Sequence, residues 1–350
     1  MKTFKIIATT DLHGSIFPTM FSGKTNEPMG LARLSSYLIE ERKRSHILLI
    51  DNGDVNQGSA LVAYANKYES DNVMSKAFNL LEYDFINIGN HDFNFGSLFL
   101  NNYIDCANAK CITTNVLFEN MPLGYSQVIP ASEDSPSIGL IGIVTDYIDH
   151  WEKPGNLENL TIISALECVK REVIRLRPVV DQIVVCYHGG LERDAETGEP
   201  TERLTGENIG YQMATEIDGI DIIIAGHQHR SFVSRINQSL VIQCAMNARE
   251  FMEFSWQGDH FDGRIVKSCD FPIDQEFLSK FGSTYDQTEK WLDTKLGEGE
   301  WENLRFSDVI SAQLNKHPYM SFVNQVQLAV SNADIQLHVF LKQAKVSANT

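Results

Sequence analysis

Five short polar segments of the sequence carry side chains that can hold metal ions. Histidine, carboxylate and amide groups occur together in these segments, and cysteine is absent from them. Imidazole and carboxylate without thiolate suit Zn²⁺, Mn²⁺ or iron, so the residue types predict a metal centre of that kind. The candidate ligands are Asp11, His13, Asp54, Asn90, His188, His227 and His229.

The spacing of these residues favours shared coordination. In an extended segment the side chains at positions i and i+2 point the same way, so Asp11 and His13 can bind one ion while Leu12 packs behind them. His227 and His229 repeat this spacing. Glycines beside the segments allow the backbone to approach closely or to adopt φ > 0. We therefore expect each pair to share an ion.

The elements that must position these side chains are strands, because each polar segment follows an apolar run. Strands are predicted at residues 4–9, 47–50, 85–88, 138–144, 183–186 and 221–225. Amphipathic helical patterns between them, as over residues 30–44 and 163–176, favour βα units and a substantially parallel sheet. Ligands of open α/β sheets bind at the carboxyl ends of the strands. The polar segments should meet at that edge.

The region after Gly226 changes character. Shorter strands are predicted at residues 240–244 and 251–256, and helical stretches at 283–294 and 306–333. Because the alternation of strand and helix stops here, the pattern predicts a second, antiparallel-rich sheet packed on the first.

Composition limits the partners and the compartment. The net charge of −17 disfavours a nucleic-acid partner, because an acidic surface repels phosphate backbones. The six cysteines show no CxxC pair, which favours a reducing compartment. No apolar run approaches the length of a membrane span, and the first residues do not read as a signal peptide. We expect a cytoplasmic protein without a membrane partner.

The polar segments also resemble a known family. TTDLHG, DNGDVNQGS, GNHDFNFG, YHGG and GHQHR resemble, in order, the signature of the calcineurin-like metallophosphoesterases. DNGDVNQGS and GNHDFNFG look like the branch of bacterial 5′-nucleotidases, UDP-sugar hydrolases and 2′,3′-cyclic-nucleotide 2′-phosphodiesterase/3′-nucleotidases. The resemblance covers about residues 5–273. It implies an α/β fold, a four-layer αββα sandwich of two mixed sheets flanked by helices, and a small-molecule phosphoester or nucleotide substrate.

The resemblance also implies roles for the candidate ligands. One divalent ion would be held by Asp11, His13 and His229, the other by Asn90, His188 and His227, with Asp54 bridging them. The ions could be Mn, Zn, Fe or Mg. A hydroxide shared by the two ions would attack phosphorus. His91, with Asn90, would lie against the phosphate and stabilise the transition state or protonate the leaving oxygen.

One departure from the family pattern concerns the partner of His91. The 5′-nucleotidases carry an aspartate three residues after the matching histidine, whereas this chain carries Asn94. An amide orients the ring but does not hold an imidazolium by charge, so we expect His91 to be less basic than in an ionised dyad. The pattern GNHxFNxG resembles the cyclic-phosphodiesterase branch, and we interpret Asn94 as an indication of substrate.

A second departure concerns the end of the chain. We predict a catalytic domain over residues 1–275, and over residues 276–350 a helical linker and the truncated start of a 5′-nucleotidase-type C-terminal domain. Residues 336–350 do not resemble the NGGxR segment that would follow in the family. Phosphoester hydrolysis is therefore expected to survive, and specificity for a base is not.

Two other functions stay open at this point. A metal-dependent nuclease of the same superfamily would share the motifs, although the acid excess argues against it. A truncated paralogue that binds metal or nucleotide without turnover would also keep the ligands. Two further expectations concern side chains outside the motifs: Trp151 is predicted to serve packing rather than base stacking, and Glu192 either contacts substrate or belongs to a solvated loop.

Overall fold

The computed structural model describes residues 3–21, 26–295, 308–315 and 317–331. The chain divides into two compact units, Met1–Leu292 and Asp293–Thr350. The first unit carries all of the polar segments and extends beyond residue 275. The second contains helices at Val309–Leu314 and Pro318–Ser331, within the stretch 306–333 that the sequence predicts as helical. Residues 306–307, 316 and 332–333 of that stretch, and the segment 336–350 compared with NGGxR, lie outside the described residues.

The strands and helices alternate through most of the first unit. The strands are β1 Thr3–Thr9, β2 Ser45–Asp51, β3 Phe85–Ile86, β4 Lys110–Cys111, β5 Val116–Phe118, β6 Met121–Pro122, β7 Gln127–Ile129, β8 Ile138–Val144, β9 Leu160–Ile162, β10 Gln182–His188, β11 Ile222–Ala225, β12 Phe232–Ile236, β13 Ser239–Gln243, β14 Glu250–Trp256 and β15 Phe261–Lys267. The α-helices are α1 Leu31–Glu41, α2 Ala60–Tyr68, α3 Val73–Leu81, α4 Ser97–Cys106, α5 Ala165–Leu176, α6 Gly210–Glu216, α7 Gln275–Ser279, α8 Gly282–Leu292, α9 Val309–Leu314 and α10 Pro318–Ser331.

Short 3₁₀-helices occupy five of the connections in the described part of the chain. They lie at Asn90–Phe93, Asp146–His150, Pro154–Leu157, Arg177–Val179 and Ser268–Asp270. The first follows β3 and the second follows β8, so both begin at the carboxyl end of a strand.

Helix α5 illustrates how the sequence sets the bounds of an element. The hydroxyl of Ser164 accepts a hydrogen bond from the backbone N–H of Glu167, which caps the first turn. Pro178 follows the last turn and prevents continuation. The buried positions recur at intervals of three and four residues, which places one face of the helix on the sheet.

Two six-stranded mixed sheets form the centre of the described structure. The first has the order β15-β14-β1-β2-β3-β4. Strands β1 to β4 are parallel, β14 pairs antiparallel with β1, and β15 pairs antiparallel with β14. The second has the order β12-β13-β11-β10-β8-β7, with β8, β10, β11 and β13 parallel and the two edge strands antiparallel. Strands β6, β5 and β9 form a separate three-stranded sheet in the order β6-β5-β9.

The hydrophobic residues divide into layers that follow the alternation of side chains along the strands. Ile6 and Ala8 of β1 pack with Val184 and Cys186 of β10, between the two sheets. Ile7 faces the other way, into the cluster that contains helices α1 to α4. The opposite face of the second sheet packs on α5 and α6. The predicted αββα sandwich of two mixed sheets is confirmed.

The grouping of strands suggested by the sequence pattern was wrong. The pattern placed strands 138–144, 183–186 and 221–225 in one parallel sheet with strand 4–9, and a separate sheet after Gly226. Instead β8, β10 and β11 form the second sheet, whereas β14 and β15 return to the first and pair antiparallel beside β1. Alternation of strand and helix reports local structure only, and the choice of neighbouring strand is made by long-range packing that leaves no period in the sequence.

Among the residues that the structure describes, no helix is long and apolar enough to cross a membrane.

Candidate metal centre

The carboxyl ends of strands from both sheets meet at one place. Nδ2 of Asn52, just after β2, donates to the carbonyl oxygens of Tyr187 and Ile224, each at 3.1 Å. Nδ2 of Asn87, just after β3, donates to the carbonyl of Ile143 at 2.8 Å and to that of Cys186 at 3.1 Å. These two buried amides fix the ends of the first sheet against the ends of the second. The loops that carry the predicted ligands start from this junction.

Three of the predicted ligands form a cluster that we call the outer group: Asp11, His13 and His229. One donor atom of each lies within 4.8 Å of the others. Nε2 of His13 is 3.0 Å from Nε2 of His229, which is 3.4 Å from Oδ1 of Asp11. His13 and Asp11 follow β1, whereas His229 follows β11 of the second sheet. The two sheets therefore contribute jointly to this group.

The other four predicted ligands form the inner group: Asp54, Asn90, His188 and His227. Nε2 of His188 lies 3.2 Å from Oδ2 of Asp54 and 3.3 Å from Oδ1 of Asn90. Nδ1 of His227 lies 2.8 Å from the same amide oxygen. The two groups adjoin, because Nε2 of His188 is also 3.9 Å from Oδ1 of Asp11. All seven predicted ligands are thus brought together.

In three of the histidine rings, the nitrogen that faces away from the cluster donates a hydrogen bond to a protein oxygen. Nδ1 of His13 donates to the carbonyl of Gln57 at 2.8 Å, and Nδ1 of His188 to the carbonyl of Asn52 at 2.6 Å. Nε2 of His227 donates to Oε1 of Glu207 at 3.0 Å. In the neutral ring this fixes the tautomer and leaves the lone pair on the nitrogen that faces the cluster.

The fit of these donors to cations follows from that arrangement. Lone pairs of His188 and His227 face the oxygens of Asp54 and Asn90, which also only accept, so a positive charge is needed between them. Oδ2 of Asp54 is buried and faces Nε2 of His188 at 3.2 Å. A set of imidazole, carboxylate and carboxamide donors around this buried oxygen fits divalent cations.

The pKa values of the buried groups without cations also indicate that positive charge is needed at this centre. Burial would raise the pKa of Asp54, but the charge of His188, its hydrogen bond and the charges of neighbouring histidines together outweigh it and hold that pKa far below its usual range. Burial would lower the pKa of His188, but the charges of Asp54 and Asp11 raise it to about 10. The pKa of Asp11 is lowered by its hydrogen bond to His229 and by the charge of His188, against the effect of its burial. Protons therefore take the place that cations would occupy.

The backbone at the candidate ligands is unusual. Five of them adopt a left-handed conformation that non-glycine residues rarely take: Asp11 at φ 53°, His13 at 48°, Asp54 at 61°, His227 at 70° and His229 at 55°. Gly53 has φ 93°, and a Cβ atom there would lie 2.3 Å from the backbone nitrogen of Gly89. Only glycine fits that contact, which brings the loop after β2 against the loop after β3.

His91 stands beside the two groups and belongs to neither. Its Nδ1 is 2.8 Å from Oδ1 of Asn94, the contact expected from the sequence. Its ring centroid is 5.5 Å from that of His13. Asp92 points away from the ring, and its carboxylate accepts backbone N–H groups of Asp54, Val55, Asn56 and Gly89. Asp92 therefore holds the loop that carries Asp54.

Sequence reasoning missed two side chains at the centre. Glu207 supports His227, and Glu152 accepts a hydrogen bond from Asn94. Both lie in connections without a motif, so no spacing in the sequence could identify them. The ring of Trp151, for which the sequence predicted packing, stacks on that of His227, with centroids 5.3 Å apart, and the residue is 42% exposed. Glu192 instead accepts the backbone N–H groups of Tyr211 and Gln212 at the start of α6.

Comparison with known proteins agrees with the fold. The family model for calcineurin-like phosphoesterases matches residues 4–231. The trifunctional nucleotide phosphoesterase protein YfkN of Bacillus subtilis is 30% identical over 249 residues, which are 65% of this chain and 17% of that protein. The 2′,3′-cyclic-nucleotide 2′-phosphodiesterase/3′-nucleotidase of Salmonella typhimurium is 31% identical over 245 residues, 65% of this chain and 37% of that protein. The chain belongs to the calcineurin-like phosphoesterase family.

Solved structures extend the likeness beyond the family model. A candidate 5′-nucleotidase from Staphylococcus aureus superposes with a TM-score of 0.85 at 30% identity, covering 95% of this chain and 67% of that one. The calcineurin-like phosphoesterase YfkN from Bacillus subtilis has a TM-score of 0.71 at 24% identity, covering 83% of this chain and 99% of that one. The chain spans less than half the length of the curated relatives it matches. Membership of the family implies divalent metal ions.

Proposed function

We propose that this chain is a dinuclear metal-dependent hydrolase of phosphomonoesters or phosphodiesters, with nucleotides or 2′,3′-cyclic nucleotides as its substrate class. The observation that carries the proposal is the convergence of seven donors in two adjoining groups, with a further imidazole, His91, beside them. The names of the relatives support the substrate class.

The assignment of ligands follows from the two groups. Asp11, His13 and His229 would hold one ion, and Asn90, His188 and His227 the other. Asp54 would serve both, because its buried carboxylate lies where the two groups meet. Two divalent ions bound there would supply Lewis acidity for the phosphoryl oxygens and lower the pKa of a water molecule that attacks phosphorus.

The protein's own contribution centres on His91. Its Nδ1 is engaged by Asn94, so Nε2 is the nitrogen that can meet a substrate. From there the ring would donate a hydrogen bond to a phosphoryl oxygen or a proton to the leaving oxygen. The backbone N–H of His91 donates to Oδ1 of Asp54 at 2.7 Å, which keeps the ring next to the ligand groups.

Hydrolysis of bis-p-nitrophenyl phosphate with Mn²⁺, Zn²⁺ or Mg²⁺ tests the proposal. The wild-type protein should release p-nitrophenol above a metal blank. Asp54→Ala and His91→Ala should abolish release, whereas Glu196→Gln, an exposed change away from the centre, should not alter it. Absence of release from the wild type with every metal would contradict hydrolysis and favour a metal- or nucleotide-binding paralogue.

A substrate panel narrows the class. AMP, 3′-AMP, 2′,3′-cyclic AMP and UDP-glucose should be compared under the best metal condition. Linear single-stranded DNA belongs in the same panel, and we expect it to stay intact because the chain carries a net charge of −17. Cleavage of the DNA in preference to the mononucleotides would favour the nuclease alternative.

A further inference from the structure

A line of polar side chains leads from His91 away from the metal centre. Oδ1 of Asn94 lies 2.8 Å from Nδ1 of His91, and Nδ2 of Asn94 donates to Oε2 of Glu152 at 2.5 Å. Oε1 of Glu152 accepts from Nδ2 of Asn156 at 2.8 Å and from the backbone N–H of Lys153 at 2.7 Å. Asn156 also donates to the backbone carbonyl of Asn94 at 2.9 Å. Both oxygens of the Glu152 carboxylate therefore have partners.

The chemistry of these groups permits one arrangement only. An ionised carboxylate can only accept hydrogen bonds, so the NH₂ of Asn94 must face Glu152 and its oxygen must face His91. The amide oxygen also only accepts, and His91 must therefore carry a proton on Nδ1. Nε2 remains as the ring nitrogen that is available to a substrate.

We propose that Glu152 is a positioning residue, which acts through Asn94 to hold His91 in the Nδ1-protonated form. The inference rests on the proposed hydrolysis and deepens it. Asn94 alone has no preference, since turning the amide over would present NH₂ to His91 and favour a proton on Nε2 instead. Glu152 removes that second state and keeps Nε2 free for the phosphoester.

The first test reads the tautomer without using activity. Long-range ¹H–¹⁵N correlation spectra of histidine-labelled, metal-free protein at mildly alkaline pH distinguish the two ring nitrogens of a neutral imidazole. The His91 signals are assigned by their loss in His91→Gln. We expect a proton on Nδ1 in the wild type, and mixed tautomers in Glu152→Ala and Glu152→Gln. A wild-type proton on Nε2, or an unchanged Nδ1 tautomer in both variants, would overturn the proposal.

The second test reads the effect on turnover. Glu152→Ala should lower kcat about tenfold while KM changes by less than about twofold, the size typical of a lost supporting hydrogen bond at an active site. Asp149→Asn, an exposed change on the preceding 3₁₀-helix, should leave both constants unchanged. An effect of Glu152→Ala on KM alone would contradict a role exerted through His91.

An exchange of the two side chains separates positioning from folding. Asn94→Asp would set one carboxylate against another and should lower kcat by about tenfold or more. Combining it with Glu152→Gln restores an amide facing a carboxylate, and kcat should return to within about threefold of the wild type. A double variant as impaired as the worse single variant would contradict the proposal. If the wild type hydrolyses nothing, the proposed function fails, and the NMR comparison still decides the role of Glu152.

Discussion

The inner and outer ligand groups differ in burial and in support. In the inner group the side chain of His188 is fully buried and that of His227 is 13% exposed, whereas His229 of the outer group is 35% exposed. Both inner rings donate a hydrogen bond from the second nitrogen. In the outer group His13 does so, but no such bond from His229 is found among the described residues. We infer that the inner group would hold its ion more firmly and the outer group would exchange its ion more readily.

The largest effect is expected where the two groups meet. Asp54→Ala removes the buried carboxylate that both groups face, so hydrolysis of bis-p-nitrophenyl phosphate should fall by roughly 10³-fold, near the upper end for loss of a charge-stabilising group. Both ions should be lost with it, as measured by elemental analysis after gel filtration. Asp259→Asn, whose side chain is 87% exposed, is the matched control. Retention of both ions in Asp54→Ala would contradict the shared role.

Single histidine changes compare the two groups directly. His229→Ala should remove the outer ion and leave the inner one, and added metal should restore part of the activity. His188→Ala should remove the inner ion, and added metal should not replace it, because the site loses its most buried ring. Elemental analysis across a metal titration measures both. Equal metal retention in the two variants would show that burial does not set the order of release.

The pH dependence of metal-free stability gives a smaller effect. The pKa of His188 is raised to about 10, from an ordinary value near 6.5. The stability contributed by the protonated ring is therefore fully present below about pH 6.5 and is lost as the pH rises towards 10. In EDTA the melting temperature should fall over this window by about 3 °C or more. His188→Gln should flatten the decline more than His229→Gln does, and an equal response would remove the distinction between the groups.

The smallest expected effect comes from weakening the hydrogen bond between His227 and Glu207. Glu207→Gln keeps a hydrogen-bond acceptor for His227 but removes the negative charge, so the affinity of the inner group for its ion should fall about tenfold. Competition with a calibrated chelator measures this affinity. Glu196→Gln on the same long connection is the control, and the outer ion should be released at an unchanged chelator concentration. A change in the outer ion alone would contradict the assignment of Glu207 to the inner group.

The sequence predicted the fold class and a set of candidate ligands, but not the neighbour of each strand. Asp11, His13 and the other candidate ligands could be proposed because each follows an apolar strand within a motif, and the structure brings them together. The pairing of β14 with β1 could not, because antiparallel return to a distant strand is decided by the packing of two sheets over a shared core. A local sequence pattern can therefore identify the chemically active residues of a loop, whereas the pairing of a strand depends on packing across the whole fold.

The supporting side chains show a second limit. The sequence predicted that Asn94 orients His91, since the two lie three residues apart. It gave no indication of Glu152 or Glu207, which reach the centre from connections far along the chain. Nothing in the sequence distinguishes one carboxylate of a polar loop from another, because only the fold places it next to a histidine ring. The roles of both glutamates therefore required the structure.

The left-handed backbone at five of the candidate ligands affects how much folded protein a cell contains. Each such residue costs roughly 1–3 kcal/mol, against a total stability of about 5–15 kcal/mol for a typical domain. Cations that bind only the folded chain would offset that cost by mass action. Chains synthesised during metal starvation would then spend more time unfolded and be degraded sooner, so the steady-state abundance of the protein would follow the metal supply.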